Sequence, residues 1–342
     1  MRSPRIAVVG ATGAVGRTML TILEERDFPM SRLRLMASNR SAGTRVVTRW
    51  GEVEVEDLAE ADPGGIDIAL FSAGGSRSRD HAARFVEAGA VVIDNSSAFR
   101  SDNNVPLVVA QVNDAAAKGH RGIVANPNCT TMTLMMAAGP LHEAAGLRSM
   151  VATSYQAVSG SGQQGIDELA AQYTSLGEDI GALMRGGWPE PETRVYTRPI
   201  GFNVLPFAGN EVEAGYTDEE MKLVNESRKI LGIPDLDVEP TCVRVPVFVG
   251  HGIAATLRFD QPMTADEAMT VLGSSPGLSL WKDRTPTPLD SAGIDDVLVG
   301  RVRETVGEPG GINLWVVGDN LRKGAALNAV QVAELVSTTT IR

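Results

Sequence analysis

The chain has 342 residues, a length typical of two domains that each bury their own core. Its 31 Lys and Arg residues against 42 Asp and Glu residues give a formal net charge of −11, which argues against binding to nucleic acid or to an anionic membrane. Hydrophobic residues at 43% are typical of a globular protein, and no apolar run approaches the ~20 residues of a membrane span. The apolar run Ile6–Val9 is too short for the hydrophobic region of a secretory signal, and two cysteines cannot form a disulfide framework in so long a chain. We therefore expect a cytoplasmic protein with reduced thiols.

The first third of the chain alternates short apolar runs with helix-like segments. The apolar runs are Arg5–Val9, Leu33–Ala37, Ile66–Ser72, Ala90–Asp94, Val105–Val109 and Gly122–Ala125. Helix-like segments follow the first and third runs, at Gly13–Arg26 and Ser78–Ala88. Short buried strands that alternate with helices are typical of a parallel sheet with crossover connections. The pattern predicts an α/β fold with a Rossmann-like doubly wound nucleotide-binding domain over residues 1–128.

The rest of the chain groups its strands and helices differently. Strands are predicted at Ser149–Gln156, Val243–Val249, Gly252–Phe259 and Ile312–Val317, and helices at Gly165–Leu176, Thr217–Leu231 and Arg322–Val336. A capping box of Thr217 and Glu220 begins the second of these helices. The Pro- and Gly-rich segment Gly186–Gly209 is predicted to be a long ordered loop. Strands with separate helices indicate an α+β domain with a mainly antiparallel sheet.

The turn Gly10–Gly16 follows the first strand and opens the first helix. Glycines allow the backbone to approach a pyrophosphate, and the free N–H groups of the helix N-terminus stabilise the anion. The alternative is a tight turn with a purely structural role. The cofactor contacts that we predict at this turn are Gly10, Thr12, Gly13, Ala14 and Val15.

The second strand ends in Ala37-Ser38-Asn39-Arg40-Ser41, without the acidic residue that would bind a ribose 2′-hydroxyl. Hydroxyl groups at Ser38 and Ser41 and the guanidinium of Arg40 suit a 2′-phosphate, so the sequence favours NADP over NAD. The alternative for Arg40 is a solvated loop cation.

Cys129 lies in Asn126-Pro127-Asn128-Cys129-Thr130, immediately before a long apolar helix-like run. A thiol in the first turn of a helix meets the positive end of the helix dipole, which favours the thiolate. The sequence therefore predicts a nucleophile, the alternative being a small buried hydrophobic residue. Cys242, within Pro240-Thr241-Cys242-Val243, has no such setting and is interpreted as structural.

Of the four histidines, His251 stands between two glycines where two strand-like runs meet. That position permits the close approach of a substrate to an imidazole, the usual acid or base at neutral pH. The alternative is an ordinary turn residue. His81, His120 and His142 are expected at the surface, and no Cys or His spacing is typical of a metal site, so none is predicted.

Six segments together resemble the bacterial aspartate-β-semialdehyde dehydrogenase family over nearly the whole chain. They are Gly10–Gly16, Asn95–Arg100, Pro127–Thr131, Ser154–Gly160, Arg244 with His251, and Gly318–Arg322. The resemblance implies a fold of the glyceraldehyde-3-phosphate dehydrogenase-like type. Residues 1–128, completed by a helix at about 321–342, would bind NADP, and residues 129–320 would form a catalytic and dimerisation domain. A homodimer is implied.

The resemblance also implies a role for each matching residue. Cys129 would be the nucleophile, His251 the acid or base, and Gln156 would help to hold the substrate. Arg244 would bind the substrate carboxylate and Glu211 the amino group. Phosphate binding is implied for Arg100, Asn128 and Lys222, with a solvated helix face as the alternative for Lys222. Nicotinamide contacts are implied for Ser159, Gly160 and Asn320.

The chemistry of the residues agrees with this family. A thiolate attacks an acyl phosphate and expels phosphate, and the resulting thioester accepts hydride from NADPH. We therefore expect reversible conversion of L-aspartyl 4-phosphate to L-aspartate 4-semialdehyde, and the resemblance places this in lysine, threonine and methionine biosynthesis.

Two alternatives remain at the sequence level. One is another phosphorylating reductase, acting on N-acetylglutamyl phosphate or glyceraldehyde 3-phosphate. An acylated amine would offer Glu211 no cation, and glyceraldehyde 3-phosphate would need no carboxylate-binding Arg244. The other is a non-catalytic NADP-binding protein, which the presence of both Cys129 and His251 argues against.

Overall fold

The computed structural model describes residues 3–176, 180–186 and 190–340. The chain divides into two compact units. The first unit comprises Met1–Pro140, Asn225–Asp235 and Leu321–Arg342, and the second comprises Leu141–Val224 and Leu236–Asn320. Residues 187–189 of the predicted long loop and 341–342 of the predicted C-terminal helix lie outside the described residues.

The strands and helices succeed one another along the chain in the following order. Up to residue 145 they are β1 Arg5–Val9, α1 Ala14–Glu25, β2 Arg32–Ala37, β3 Arg45–Thr48, β4 Gly51–Asp57, β5 Ile68–Phe71, α2 Gly75–Glu87, β6 Val91–Asp94, β7 Ile123–Ala125 and α3 Cys129–Ala145. From residue 147 they are β8 Leu147–Gln156, α4 Gln163–Leu176, α5 Ile180–Arg185, α6 Asp218–Leu231, β9 Asp237–Arg244, β10 His251–Phe259, α7 Ala265–Ser274, β11 Leu278–Trp281, α8 Pro288–Ser291, β12 Val297–Glu304, β13 Ile312–Gly318 and α9 Leu327–Thr340.

The first unit is built on a sheet with the strand order β3-β4-β2-β1-β5-β6-β7. Every neighbouring pair is parallel except β3 with β4, as expected for a doubly wound domain. Apolar side chains of α1 and α9 pack in one core cluster, and Phe85 of α2 packs in another against Phe71 of β5. Strands covered in this way have little polar surface, which explains why β1, β5 and β6 are short apolar runs.

Two details of the first sheet differ from the sequence prediction. The predicted strand Val105–Val109 is wrong, because this segment makes only an isolated bridge from Leu107 to Ala125. The antiparallel pair β3–β4 was not predicted, because its charged side chains face solvent and leave no apolar run. One of its cross-strand pairs is the ion pair of Arg45 with Glu52, at 2.9 Å.

The second unit contains a sheet with the strand order β11-β12-β13-β10-β8-β9. The outer pairs β11–β12 and β8–β9 are parallel and the three inner pairs are antiparallel. The sheet is therefore mixed rather than mainly antiparallel, because long connections rather than hairpins lead from β8 to β9 and from β11 to β12.

The predicted strand Val243–Val249 is displaced along the chain. The strand is β9, which ends at Arg244, and the following residues turn away where Val247 N–H bonds to Val245 O, on either side of Pro246. The strand begins earlier than predicted, at Asp237, and it contains Pro240, which a sheet tolerates at an edge strand. β9 is the edge strand of this sheet.

The predicted helices at Thr217–Leu231 and Arg322–Val336 are largely confirmed. Thr217 caps α6, since Glu220 N–H donates to the Thr217 hydroxyl at 3.3 Å and Thr217 N–H donates to the Glu220 carboxylate at 2.8 Å. The predicted helix from Arg322 is a π-helical segment, Arg322–Ala326, followed by α9. None of the described helices combines the length and the apolar composition that spanning a bilayer requires.

Candidate active site

The glycine turn after β1 has the geometry of a dinucleotide-binding turn. Gly10 has φ +89°, and a Cβ there would stand 2.4 Å from Ser72 O, so only glycine fits. Gly13 is the N-cap of α1 and no side chain caps the helix, so the amides of Ala14 and Val15 at its first turn are not covered by a capping side chain. These residues therefore fit an anionic cofactor.

The turn after β2 approaches the glycine turn within the first unit. The Thr12 hydroxyl donates to the Ser41 hydroxyl at 3.2 Å. Ser38 is half-buried and Arg40 is exposed. Residues that the sequence assigned to one cofactor from two separate segments therefore lie together.

Cys129 is the first residue of α3, as the sequence predicted. The side-chain oxygen of Asn128 accepts hydrogen bonds from Thr130 N–H at 2.9 Å and Thr131 N–H at 3.4 Å, which caps this helix. Cys129 is partly exposed, whereas Asn128 is buried. The N-terminus of α3 thus presents the thiol in the setting that favours a thiolate.

Arg100 is held beside the segment that precedes Cys129. Its guanidinium donates to Asn126 O at 2.8 Å and to Asn95 O at 2.9 Å. Its third contact is the carboxylate of Glu226, at 3.2 Å. Sequence reasoning missed Glu226, because no local motif marks one carboxylate on a charged helix.

In the second unit, strand register brings three predicted site residues to one edge of the sheet. Gln156 ends β8 and is the register partner of Arg244, which ends β9. His251 begins β10, which pairs antiparallel with β8 so that Gly252 lies opposite Tyr155. The three side chains therefore leave the sheet at the same end, although they are up to 95 positions apart in sequence (251 − 156).

The His251 imidazole is completely buried and accepts a hydrogen bond at Nδ1 from Ala157 N–H, at 3.0 Å. Burial, reinforced by the nearby Arg244 guanidinium, lowers the pKa of His251 to about 3. The ring is therefore neutral at pH 7, and its proton resides on Nε2 because Nδ1 is an acceptor. A Cβ at Gly160 would stand 3.3 Å from the imidazole and 2.8 Å from the Arg244 guanidinium, so this glycine gives both side chains their space.

Arg244 and Gln156 retain unused hydrogen-bonding capacity. Arg244 donates to Ala157 O at 2.9 Å, and its guanidinium lies 6.0 Å from the centre of the Tyr196 ring. Its Nε and the Gln156 Oε1 are buried with no hydrogen-bond partner among the residues described. Buried polar atoms in this state are costly, which indicates that a polar ligand completes them. A cavity of about 230 Å³ borders Arg244.

A different carboxylate from the one predicted lies beside these residues. Gln156 donates weakly to Glu219 at 3.4 Å, and Glu219 pairs with Lys222 at 3.2 Å. Burial disfavours the charged form of Lys222, but Glu219 and Asp218 outweigh it and raise its pKa. Glu211 is exposed and bridges through its backbone to Thr217. For a carboxylate that contacts a ligand beside Gln156, the geometry favours Glu219 over Glu211.

Ser159 and Asn320, two further predicted site residues of the second unit, contact each other. The Ser159 hydroxyl and the Asn320 side chain are hydrogen-bonded at 2.8 Å, and Asn320 also accepts from Gly250 N–H at 2.9 Å. This fixes Gly250, the residue before His251. Cys242 is buried in β9, and burial raises the pKa of its thiol to about 12, in keeping with a structural role.

Comparison with known proteins defines the class first. Residues 5–120 match the family described as semialdehyde dehydrogenase, NAD binding domain, and residues 139–323 match semialdehyde dehydrogenase, dimerisation domain. The chain is therefore an oxidoreductase of the semialdehyde dehydrogenase class, with a nicotinamide-dinucleotide-binding domain and a dimerisation domain.

Full-length relatives narrow the class. The aspartate-semialdehyde dehydrogenase of Mycolicibacterium smegmatis is 51% identical, over 97% of this chain and 98% of the relative, and that of Corynebacterium glutamicum is 52% identical over the same shares. The crystal structure of aspartate semialdehyde dehydrogenase II from Vibrio cholerae has a TM-score of 0.94 and 45% identity, and covers 99% of both chains. The chain belongs to the aspartate-semialdehyde dehydrogenase family. The resemblance and the fold class drawn from the sequence are confirmed.

Proposed function

We propose that this chain reversibly converts L-aspartyl 4-phosphate and NADPH to L-aspartate 4-semialdehyde, phosphate and NADP. The observation that carries the proposal is the pair of buried polar atoms without partners, Arg244 Nε and Gln156 Oε1, beside the Glu219 carboxylate. A donor, an acceptor and an anion suit the α-carboxylate and α-ammonium of an amino acid. A solved structure of the 45% identical Vibrio cholerae enzyme is described as complexed with ASA, which supports the same ligand class.

Cys129 acts as the nucleophile in this proposal. Its thiolate attacks the acyl carbon, a C–S bond forms, and the C–O bond to phosphate breaks. Arg100 and Lys222 supply positive charge for the departing phosphate, which Asn128 also binds while its side-chain oxygen caps the helix that begins at Cys129. When bound, the cofactor supplies a hydride that reduces the thioester.

His251 acts on the reduced intermediate. Because its proton lies on Nε2, it donates a hydrogen bond to the alkoxide oxygen that hydride addition to the thioester leaves, and the C=O bond then forms as the C–S bond breaks and the Cys129 thiolate departs. Gln156 and Arg244 hold the substrate. Glu219 binds the amino group, the role that the sequence analysis gave to Glu211.

The reaction is tested by following NADPH absorbance with purified protein, phosphate and NADP. Aspartate semialdehyde should exceed N-acetylglutamate semialdehyde and glyceraldehyde 3-phosphate by at least about 100-fold in kcat/KM, since an unpaired buried charge disfavours the wrong substrate. Equal turnover of the N-acetyl compound would favour the related reductase instead. Absence of turnover with all three would favour a binding protein.

For the cofactor we propose NADP, bound by residues 1–128 together with the C-terminal helix, while residues 129–320 form the catalytic and dimerisation domain. The cofactor is bound by the glycine turn and by Ser38, Arg40 and Ser41. Its nicotinamide contacts Ser159, Gly160 and Asn320. Arg40→Ala should weaken NADPH binding by about ten- to a hundredfold and leave NADH use unchanged. Arg32→Ala, which removes an exposed charge at the start of β2, is the control. Equal losses with both cofactors would contradict the role of Arg40.

We also propose a homodimer formed through the second unit, in the cytoplasm. One face of its sheet exposes apolar side chains, with Val151 41% and Tyr155 36% exposed. Ala254 and Trp315 share that face by register. Apolar faces of this kind are typical of subunit interfaces. Light scattering should show a dimer, and Val151→Arg should yield monomers.

A further inference from the structure

We propose that Glu226 is a positioning residue that sets both the phosphate affinity of Arg100 and the reactivity of Cys129. The inference rests on the proposed function, in which Cys129 is the nucleophile and Arg100 binds phosphate. Glu226 is only 4% exposed, and its two carboxylate oxygens make different contacts. One accepts from the Arg100 guanidinium at 3.2 Å and the other from Asn128 N–H at 2.6 Å.

The Asn128 contact reaches the residue immediately before the nucleophile. Asn128 also caps α3 through its side chain, so its backbone and side chain are both fixed. A carboxylate bound to the backbone N–H of this residue restrains the start of the helix that presents Cys129. The short distance is typical of a charge-assisted hydrogen bond, the stronger kind.

The Arg100 contact links the same carboxylate to a phosphate-binding cation. Two other guanidinium nitrogens donate to the carbonyls of Asn126 and Asn95, which orient the group without neutralising it. Glu226 supplies the opposite charge, and a bound phosphate dianion would have to share the guanidinium with it. Lys229 lies on α6, as Glu226 does, and donates to Arg100 O at 2.8 Å. Helix α6 therefore binds both the side chain and the backbone of Arg100.

This arrangement moderates the charge of the site. An unopposed Arg100 would bind phosphate more tightly and would stabilise the Cys129 thiolate further. Phosphate is released in one direction of the reaction and bound in the other. Glu226 therefore keeps phosphate affinity low enough for release while it holds Asn128 in place.

Two substitutions separate the charge from the geometry. Glu226→Gln keeps an oxygen that can accept from Asn128 N–H but removes the negative charge. The KM for inorganic phosphate should fall at least about threefold, and the pH midpoint of Cys129 alkylation by iodoacetamide should fall by at least about 0.5. Glu226→Asp keeps the charge but is one methylene too short to reach both partners. It should leave the alkylation midpoint unchanged and lower kcat by about tenfold.

Asp235→Asn is the matched control, since it removes an exposed negative charge just beyond the same helix. The inference is overturned if Glu226→Gln has the phosphate KM and alkylation midpoint of Asp235→Asn, or if Glu226→Asp retains the wild-type kcat. Should Glu226→Gln fail to fold, the kcat of Glu226→Asp decides alone. Failure of the proposed function would look different, because Cys129→Ser would then retain phosphate-dependent turnover.

Discussion

The segment around Cys129 and the strand-end cluster of the second unit, formed by Gln156, Arg244 and His251, differ in how their charged groups are paired. Around Cys129, the cation Arg100 already has an anionic partner in Glu226 and two carbonyl acceptors. At the strand ends, His251 is neutral and Arg244 keeps an unused buried donor. The first region has its charged groups paired within the chain, whereas the second retains two buried polar atoms without partners among the described residues, Arg244 Nε and Gln156 Oε1. One region is thus suited to holding a reactive group still, and the other to selecting a substrate.

The largest effect should come from the nucleophile. Cys129→Ser should lower kcat at least about 10³-fold, because a hydroxyl at neutral pH replaces a thiolate that leaves readily. Cys242→Ala, in the buried β9, should keep kcat within about threefold. Both are measured by NADPH formation. Loss of turnover in the Cys242 variant alone would reverse the assignment of the two thiols.

The close packing of the strand-end cluster comes next. Gly160→Ala should lower kcat/KM about 100-fold, because its Cβ would displace the Arg244 and His251 side chains, and an error of about 1 Å is costly in catalysis. Gly273→Ala in α7, where a Cβ meets only Leu280 at 3.7 Å, is the control and should be fully active. An active Gly160→Ala protein would show that the cluster tolerates looser packing than we infer.

The neutral state of His251 should appear in the pH dependence of stability. Its pKa falls from 6.5 to about 3 on folding, so the unfolded chain binds more protons between these values. Stability is therefore lost as pH falls below 6.5, and the loss from this group is about 2 kcal/mol by pH 5, a factor of about 30 in the unfolding constant. Urea unfolding at pH 7 and pH 5 should show a smaller decrease for His251→Gln. The same decrease in both proteins would mean that another group is responsible.

The smallest effect distinguishes two neighbouring carboxylates. Glu219→Gln should lower kcat/KM for aspartate semialdehyde about tenfold, the equivalent of ~1.4 kcal/mol of transition-state binding. Glu211→Gln should have little effect, since its side chain is exposed. If the Glu211 variant is the impaired one, the geometric preference for Glu219 is wrong.

These regions also differ in how much of them the sequence reveals. Cys129 at a helix start and His251 at a strand start follow from local signals, namely an apolar run and flanking glycines. Glu226 could not be found, because its contact with Asn128 joins residues 98 positions apart. Glu219 and Glu211 flank one loop, and only the contact of Glu219 with Gln156, 63 positions away, separates them.

The fold shows the same division. Buried parallel strands such as β5 and β6 can be recognised in the sequence as apolar runs. The solvent-facing pair β3–β4 cannot. Val105–Val109 has the composition of a strand, yet its backbone pairs with the sheet only at Leu107. Composition reports burial, and the partner that a backbone finds depends on the whole fold.

The proline in the edge strand has a consequence for the behaviour of the protein at high concentration. An exposed edge offers a row of N–H and C=O groups to which a strand of another molecule can add, and long flat edges of this kind seed aggregation. Pro240 removes one of the donors from β9, and the exposed acidic side chains of Asp237 and Glu239 precede it along the strand. The rest of this edge is also occupied, because Cys242 N–H donates to the Glu220 carboxylate at 2.9 Å and Leu205 bridges to Arg244, so little of β9 is open to sheet extension.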